Sequence, residues 1–240
     1  GEDTLSLHDA LPIYAVAGAG IAVLYSAFYA GHTLYSLFDT KLTFALMILT
    51  TVVAALMSLR YSAMFIAGLG LIGGFATPVL LSTGQDRPIA LFLYVLLLDI
   101  GFLAMAIRRG WHSISLLSLI LTVFIELAWM GKHLAPAKLI IAVVVSTVYA
   151  LIYLALPSLA RRLGPKDGDD PTKNQTLMLI GGIAGVAPFL LAMYIAGASE
   201  YRPQWPLLYG YLACLNAALL AVAVLRGEAT LLLAGAMATV

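Results

Sequence analysis

A succession of apolar runs, each about 20 residues long, constrains this chain more than any other feature. That is the length an α-helix needs to cross a bilayer at 1.5 Å per residue. Eight stretches qualify: Pro12–Tyr29, Leu42–Leu59, Ala63–Leu81, Ile89–Ile107, Trp111–Met130, Ala137–Leu156, Thr176–Ala196 and Leu207–Leu225. A ninth, Ala229–Val240, is too short to cross. Only 10% of residues are charged, against about 25% in soluble domains. The expected fold is therefore all-α: a polytopic transmembrane helical bundle of eight full spans and a truncated ninth.

The first residues, GEDTLSLHDALPI, are polar and stop abruptly at the first apolar run. The string SLHDALPI resembles translated sequencing-adapter read-through, so residues 1–13 are expected to be a non-native leader without contacts to the bundle. Connections are short except around residues 158–175, where Pro, Gly and charged residues make a solvated linker. This linker separates six spans (14–157) from a second, truncated membrane stretch (176–240).

Orientation follows from the Lys/Arg content of alternate loops. One side carries Arg60, Arg108, Arg109, Arg161, Arg162, Lys166, Lys173 and Arg226. The other carries Lys41, Arg87, Lys132, Lys138 and Arg202. The richer side, with the linker, is expected to be cytoplasmic. Trp111, Trp129 and Trp205 fall at span ends, where aromatic residues favour the membrane–water boundary. Cys214 has no partner for an intrachain disulfide and is read as a small apolar residue.

An internal repeat is expected as well. Leu91–Gly110 aligns with Leu208–Gly227 without gaps, matching Tyr94 to Tyr211, Asp99 to Asn216, Arg109 to Arg226 and Gly110 to Gly227. The preceding helices share LIGG, and their prolines, Pro78 and Pro188, are offset by two residues. The copies lie four helices apart, so they would form a parallel four-helix repeat about an axis normal to the membrane. It would place hairpins 63–107 and 176–225 side by side, with Asp99 and Asn216 at equal depth and both inward.

Intramembrane polar residues are the candidate sites. Asp99 lies near the middle of its span with no Lys or Arg inside any span. A charge there costs about 2.5–3.5 kcal/mol on insertion scales and marks function by default. The plain alternative is a protonated Asp hydrogen-bonded to a neighbouring helix. Ser115, Ser118, Thr122 and Glu126 follow spacings of three, four and four, so they share one helix face. That face should meet other helices or a wet cavity, with His32, Arg87, Lys132 and His133 as outer-side partners for Glu126. Its plain alternative is interhelical hydrogen bonding, worth about 0.6 kcal/mol per contact. Tyr25, Tyr29 and His32 make a weaker stripe at the outer end of the first span.

Gly68, Gly70, Gly73 and Gly74 imitate a dinucleotide fingerprint, but that motif needs a preceding strand. Inside a span the better reading is close helix packing through Gly70/Gly74 and Gly181/Gly185, each pair four apart. No metal-ligand spacing, catalytic constellation, cofactor motif or basic nucleic-acid patch is present. The expected partners are the lipid bilayer and further spans of a longer chain.

Three stretches together resemble a family. They are GLGLIGGFATPVLLSTG at Gly68–Gly84, the LLLDIGFLA segment, and Arg108, Arg109 and Trp111 after it. Here the chain resembles a bacterial family of multi-spanning predicted membrane proteins, domain of unknown function 2339, over about Tyr14 to Val240. The resemblance implies the bacterial inner membrane and a longer chain with more spans. It carries no residue roles. Three function classes remain open. One is a transporter or channel-like protein with a polar path near Asp99 and Glu126. Another is a membrane enzyme on lipid-linked or envelope substrates, using Glu126 with Asp86. The third is a structural or assembly protein.

Overall fold

The computed structural model describes residues 7–82, 84–165 and 171–226, with side chains described over 15–82, 84–165 and 171–221. Among these residues the chain is helical, with no strand. Eight α-helices follow in order: α1 (Leu7–Thr33), α2 (Thr40–Tyr61), α3 (Met64–Leu80), α4 (Pro88–Arg109), α5 (His112–His133), α6 (Leu139–Leu163), α7 (Pro171–Gly197) and α8 (Trp205–Arg226).

Six of them are long and apolar enough to cross a membrane: α1 over Ala15–Thr33, α2, α4, α5, α6 over Pro136–Leu163, and α7. Eight full spans are expected from the sequence, and six are found among the described residues. Helix α3 has 17 residues, about 26 Å at 1.5 Å each, short of a hydrocarbon core of about 30 Å. Its start is fixed by the αL residue Ser62 and its end by the turn after Leu80. Helix α8 has 22 residues, but its side chains are described only as far as 221. The ninth segment, Ala229–Val240, lies outside the described residues. So do residues 1–6 and the side chains of 7–14, and with them the expectation that the leader makes no contacts; the helical backbone already begins at Leu7.

Large apolar side chains cover the outside, among them Val16, Leu49, Leu97, Phe124, Met178 and Met193. In water such a surface would aggregate; in lipid it is the solvated face.

The chain divides into two compact units. The first holds residues up to Arg87 together with Leu97–Met105 of α4. Asp39 caps α2, its Oδ1 accepting from the Leu42 amide at 2.9 Å. Helices α2 and α3 then form a tight hairpin. A Cβ on Gly70 would stand 2.7 Å from the Ala54 Cβ, and one on Gly74 would stand 3.1 Å from Thr51 Cγ2. The expected close approach at Gly70/Gly74 is therefore physical. A Cβ on Gly73 would enter the Tyr25 ring. That ring crosses α3 at Gly73 so that its hydroxyl sits 2.6 Å from Thr51 Oγ1 and 3.4 Å from the Gly70 carbonyl. Tyr25 thus ties α1, α2 and α3 together. Of the other buried hydroxyls of α2, Thr43 and Thr50 bond back along the helix, whereas Ser58 donates to the Ala55 carbonyl and also reaches Met105 Sδ of α4 at 3.3 Å.

The second unit holds Pro88–Leu96 of α4 and everything from Ala106 onward. Gly110 takes φ +69°, and the Gly110 and Trp111 amides bond to Ile107 and Ala106, which closes α4 and turns the chain into α5. Trp129 is buried, with its ring edge-on to Phe92 at 5.3 Å, and the Tyr149 hydroxyl donates to the Phe92 carbonyl at 2.7 Å. The sequence places Trp129 at the membrane boundary. Its ring turns into the bundle against α4, whereas that of Trp205 is 62% exposed. Helix α6 continues through Pro157 to Leu163, into the expected linker, because Leu156, Pro157 and Ala160 keep its buried face going. Helix α7 likewise begins early, at Pro171.

Candidate functional site

Helix α5 has a polar face because its hydroxyls and Glu126 recur every three or four residues, and that face is buried. Ser115 and Ser118 are fully buried, Thr122 is 1% exposed and Glu126 is 6% exposed. Thr122 Oγ1 lies 3.5 Å from the Tyr153 hydroxyl of α6. A cavity of about 10 Å³ is lined by Leu119, Thr122 and Glu126 of α5, Ser146 and Tyr149 of α6, and Ala184 and Pro188 of α7. A single water needs about that much room.

Pro188 shapes this cavity. Its ring carries no N–H, so the Ala184 carbonyl loses its helical donor at the cavity wall. The Pro188 carbonyl accepts from the Tyr211 hydroxyl of α8 at 3.1 Å. Ser146 is within hydrogen-bonding reach of the same hydroxyl, and Glu126 is close enough to act on it electrostatically. Oxygen atoms of four helices thus converge beside one carboxylate in an apolar surrounding. Chemically, such a site can hold a water, a proton or one small cation. Among the described residues no three His, Cys, Asp or Glu side chains gather as metal ligands.

The other candidates are distributed differently. Asp99 is fully buried in the first unit, one turn before Phe102, whose ring packs 3.7 Å from where a Gly70 Cβ would stand. Asn216 is only half-buried and donates from Nδ2 to the Leu212 carbonyl of its own helix at 2.9 Å. The buried face of α8 is Tyr211, Leu215 and Leu219, and Asn216 sits beside it. Asp99 and Asn216 therefore do not share an environment as the repeat would have it, since the two helices bury faces that differ by about one residue of rotation. Gly181 is buried, and a Cβ on Gly185 would meet Leu219 at 3.4 Å, an ordinary contact. The second glycine pair is thus less demanding than the first. His32 Nδ1 pairs with the Phe38 carbonyl at 2.8 Å and braces the turn after α1. Lys132 is exposed, and Cys214 is exposed on α8.

Sequence reasoning missed Ser146, Tyr149 and Tyr153. Their spacings of three and four on α6 repeat the signal that revealed α5. It also stopped the α5 stripe at Ser115, although His112, three residues earlier, continues the same face and is 9% exposed.

No curated protein and no solved structure matches this chain. The match comes instead from a family model described as "Predicted membrane protein (DUF2339)", which covers residues 10–198. Long apolar helices with lipid-facing exteriors agree with that description, and the chain belongs to this family of membrane proteins.

Proposed function

We propose that the chain is a transport or channel-like protein of the bacterial inner membrane, with Glu126 as the binding group of a polar path. In this reading Asp99 is a second buried carboxylate serving the other unit. Helices α3, at the short end of the range that can span, and α8 also cross, giving eight spans, and the linker at 158–175 faces the cytoplasm, as the Lys/Arg asymmetry favours.

The observation that carries the reading is the setting of Glu126. A carboxylate inside a span is expensive, and it is kept beside a water-sized cavity where a proline breaks the ladder of α7. A proline inside a continuous helix frees one carbonyl, here that of Ala184, toward such a site. A second reading, that of a structural or assembly protein, draws support from the smallness of the cavity and from Thr43 and Thr50, which bond only within α2.

Ion flux separates the two readings. The purified chain in liposomes should pass protons or monovalent cations, and Glu126→Gln should abolish that flux while leaving the helical content and elution volume unchanged. Wild-type vesicles no leakier than protein-free ones would leave the structural reading standing.

A further inference from the structure

We propose that the transported species is the proton, carried along the buried face of α5 from His112 to His133 through Glu126. This rests on the transport reading above and names its substrate.

The face is longer than its hydroxyl stripe. His112, Ser115, Thr122, Glu126 and His133 all fall on it, at spacings that return to one side of an α-helix. Titratable groups stand at both ends and a carboxylate stands between them. The two imidazoles are 21 positions apart, about 32 Å at 1.5 Å per residue, which matches a hydrocarbon core of about 30 Å.

The second observation is one of satisfaction. His112 Nδ1, Ser115 Oγ and His133 Nδ1 are buried and have no hydrogen-bond partner among the described residues. Buried polar atoms left in this way are where bound waters sit. These three belong to one face of one helix, near both of its ends, and the water-sized cavity beside Thr122 and Glu126 lies between them. Waters at those positions would join the hydroxyls of Ser115, Ser118 and Thr122 into a line of groups that each donate and accept as far as Glu126, and further water would have to carry the proton over the seven positions, about 10 Å, from Glu126 to His133.

A proton crosses such a line by exchange. Neutral His112 takes a proton on one ring nitrogen and releases one from the other. Each hydroxyl or water accepts at a lone pair and gives up its own hydrogen. Glu126 passes from carboxylate to carboxylic acid and back, and His133 hands the proton to the far side. One proton enters, one leaves, and nothing is oxidised or reduced. Histidine suits the two ends because a neutral imidazole accepts at one ring nitrogen and donates from the other.

The surroundings favour a proton over a metal cation. Among the described residues the phenols Tyr149 and Tyr211 lie near Glu126. The cavity has room for one water, not for a hydrated ion.

The test uses the full chain in liposomes loaded with a pH-sensitive dye, with a potassium diffusion potential to drive entry. Wild type should acidify the lumen, and the rate should fall in heavy water. His112→Gln and His133→Gln should each slow it about tenfold or more, and external imidazole should restore His133→Gln. His112→Asn carries the inner-end test if His112→Gln does not fold. Proton flux that is lost in Glu126→Gln but unchanged in both histidine variants overturns the relay and leaves the transport reading intact. Sodium or potassium flux without proton flux overturns the proton as substrate. No flux of any ion overturns both.

Discussion

The packing of α2 on α3 can be tested with one methyl group. In Gly70→Ala the new Cβ stands 2.7 Å from the Ala54 Cβ, about 1 Å inside the 3.5–4.0 Å at which carbon atoms attract. Neither atom sits on a movable side chain, so the helices themselves must part. Overpacking of this kind costs about 1–3 kcal/mol. Against it stands the gain of about 1 kcal/mol from replacing glycine by alanine within a helix. The net expectation is a loss of up to about 2 kcal/mol. The same change at Gly182 meets nothing within 4 Å and should keep the whole gain, while Gly185→Ala meets Leu219 at an ordinary distance and should fall between the two. Thermal or denaturant unfolding in detergent, followed by helical circular dichroism, ranks the three. Ala54→Gly added to Gly70→Ala removes the opposing methyl and should recover most of the loss. If Gly70→Ala is as stable as Gly182→Ala, or if Ala54→Gly recovers nothing, the close approach is wrong and so is the account of these glycines.

Two further expectations follow from groups that sequence alone places differently. Trp129 is buried against Phe92; in a variant whose other tryptophans are replaced, its fluorescence should resist quenchers in both water and lipid, and ready quenching by a brominated lipid would mean that the ring faces lipid and not Phe92. Tyr201 lies outside the spans, is 1% exposed and donates to the Leu134 carbonyl at 3.4 Å, and burial pushes its phenol up to about 12. Its protonated form is favoured by folding, so the stability it contributes is complete below an ordinary tyrosine value of about 10 and is lost as pH rises through about 12. Phenolate absorbance should show a late-titrating tyrosine that disappears in Tyr201→Phe; an unchanged titration in that variant would refute the assignment.

The sequence by itself settled the class of object and the identity of the polar face. Runs such as Leu42–Leu59 and Trp111–Met130 must be helical in lipid, because their backbone groups have no other partners. Spacing alone placed Ser115, Ser118, Thr122 and Glu126 together, since helical geometry is local. What meets that face is not local. Only the tertiary structure brings Tyr153 to Thr122 and Ser146, Pro188 and Tyr211 to the neighbourhood of Glu126, and only it carries Tyr25 across Gly73 to Thr51. The same limit explains the differences. Composition gave α3 a full span, but the Ser62 turn shortens it. Position in the span put Trp129 near a helix end, but only packing turns its ring inward against Phe92. Alignment equated Asp99 with Asn216, but which side of a helix is buried depends on its neighbours, and α4 and α8 have different ones. Periodicity fixes which residues share a face; only contact between segments far apart in the chain decides what that face touches.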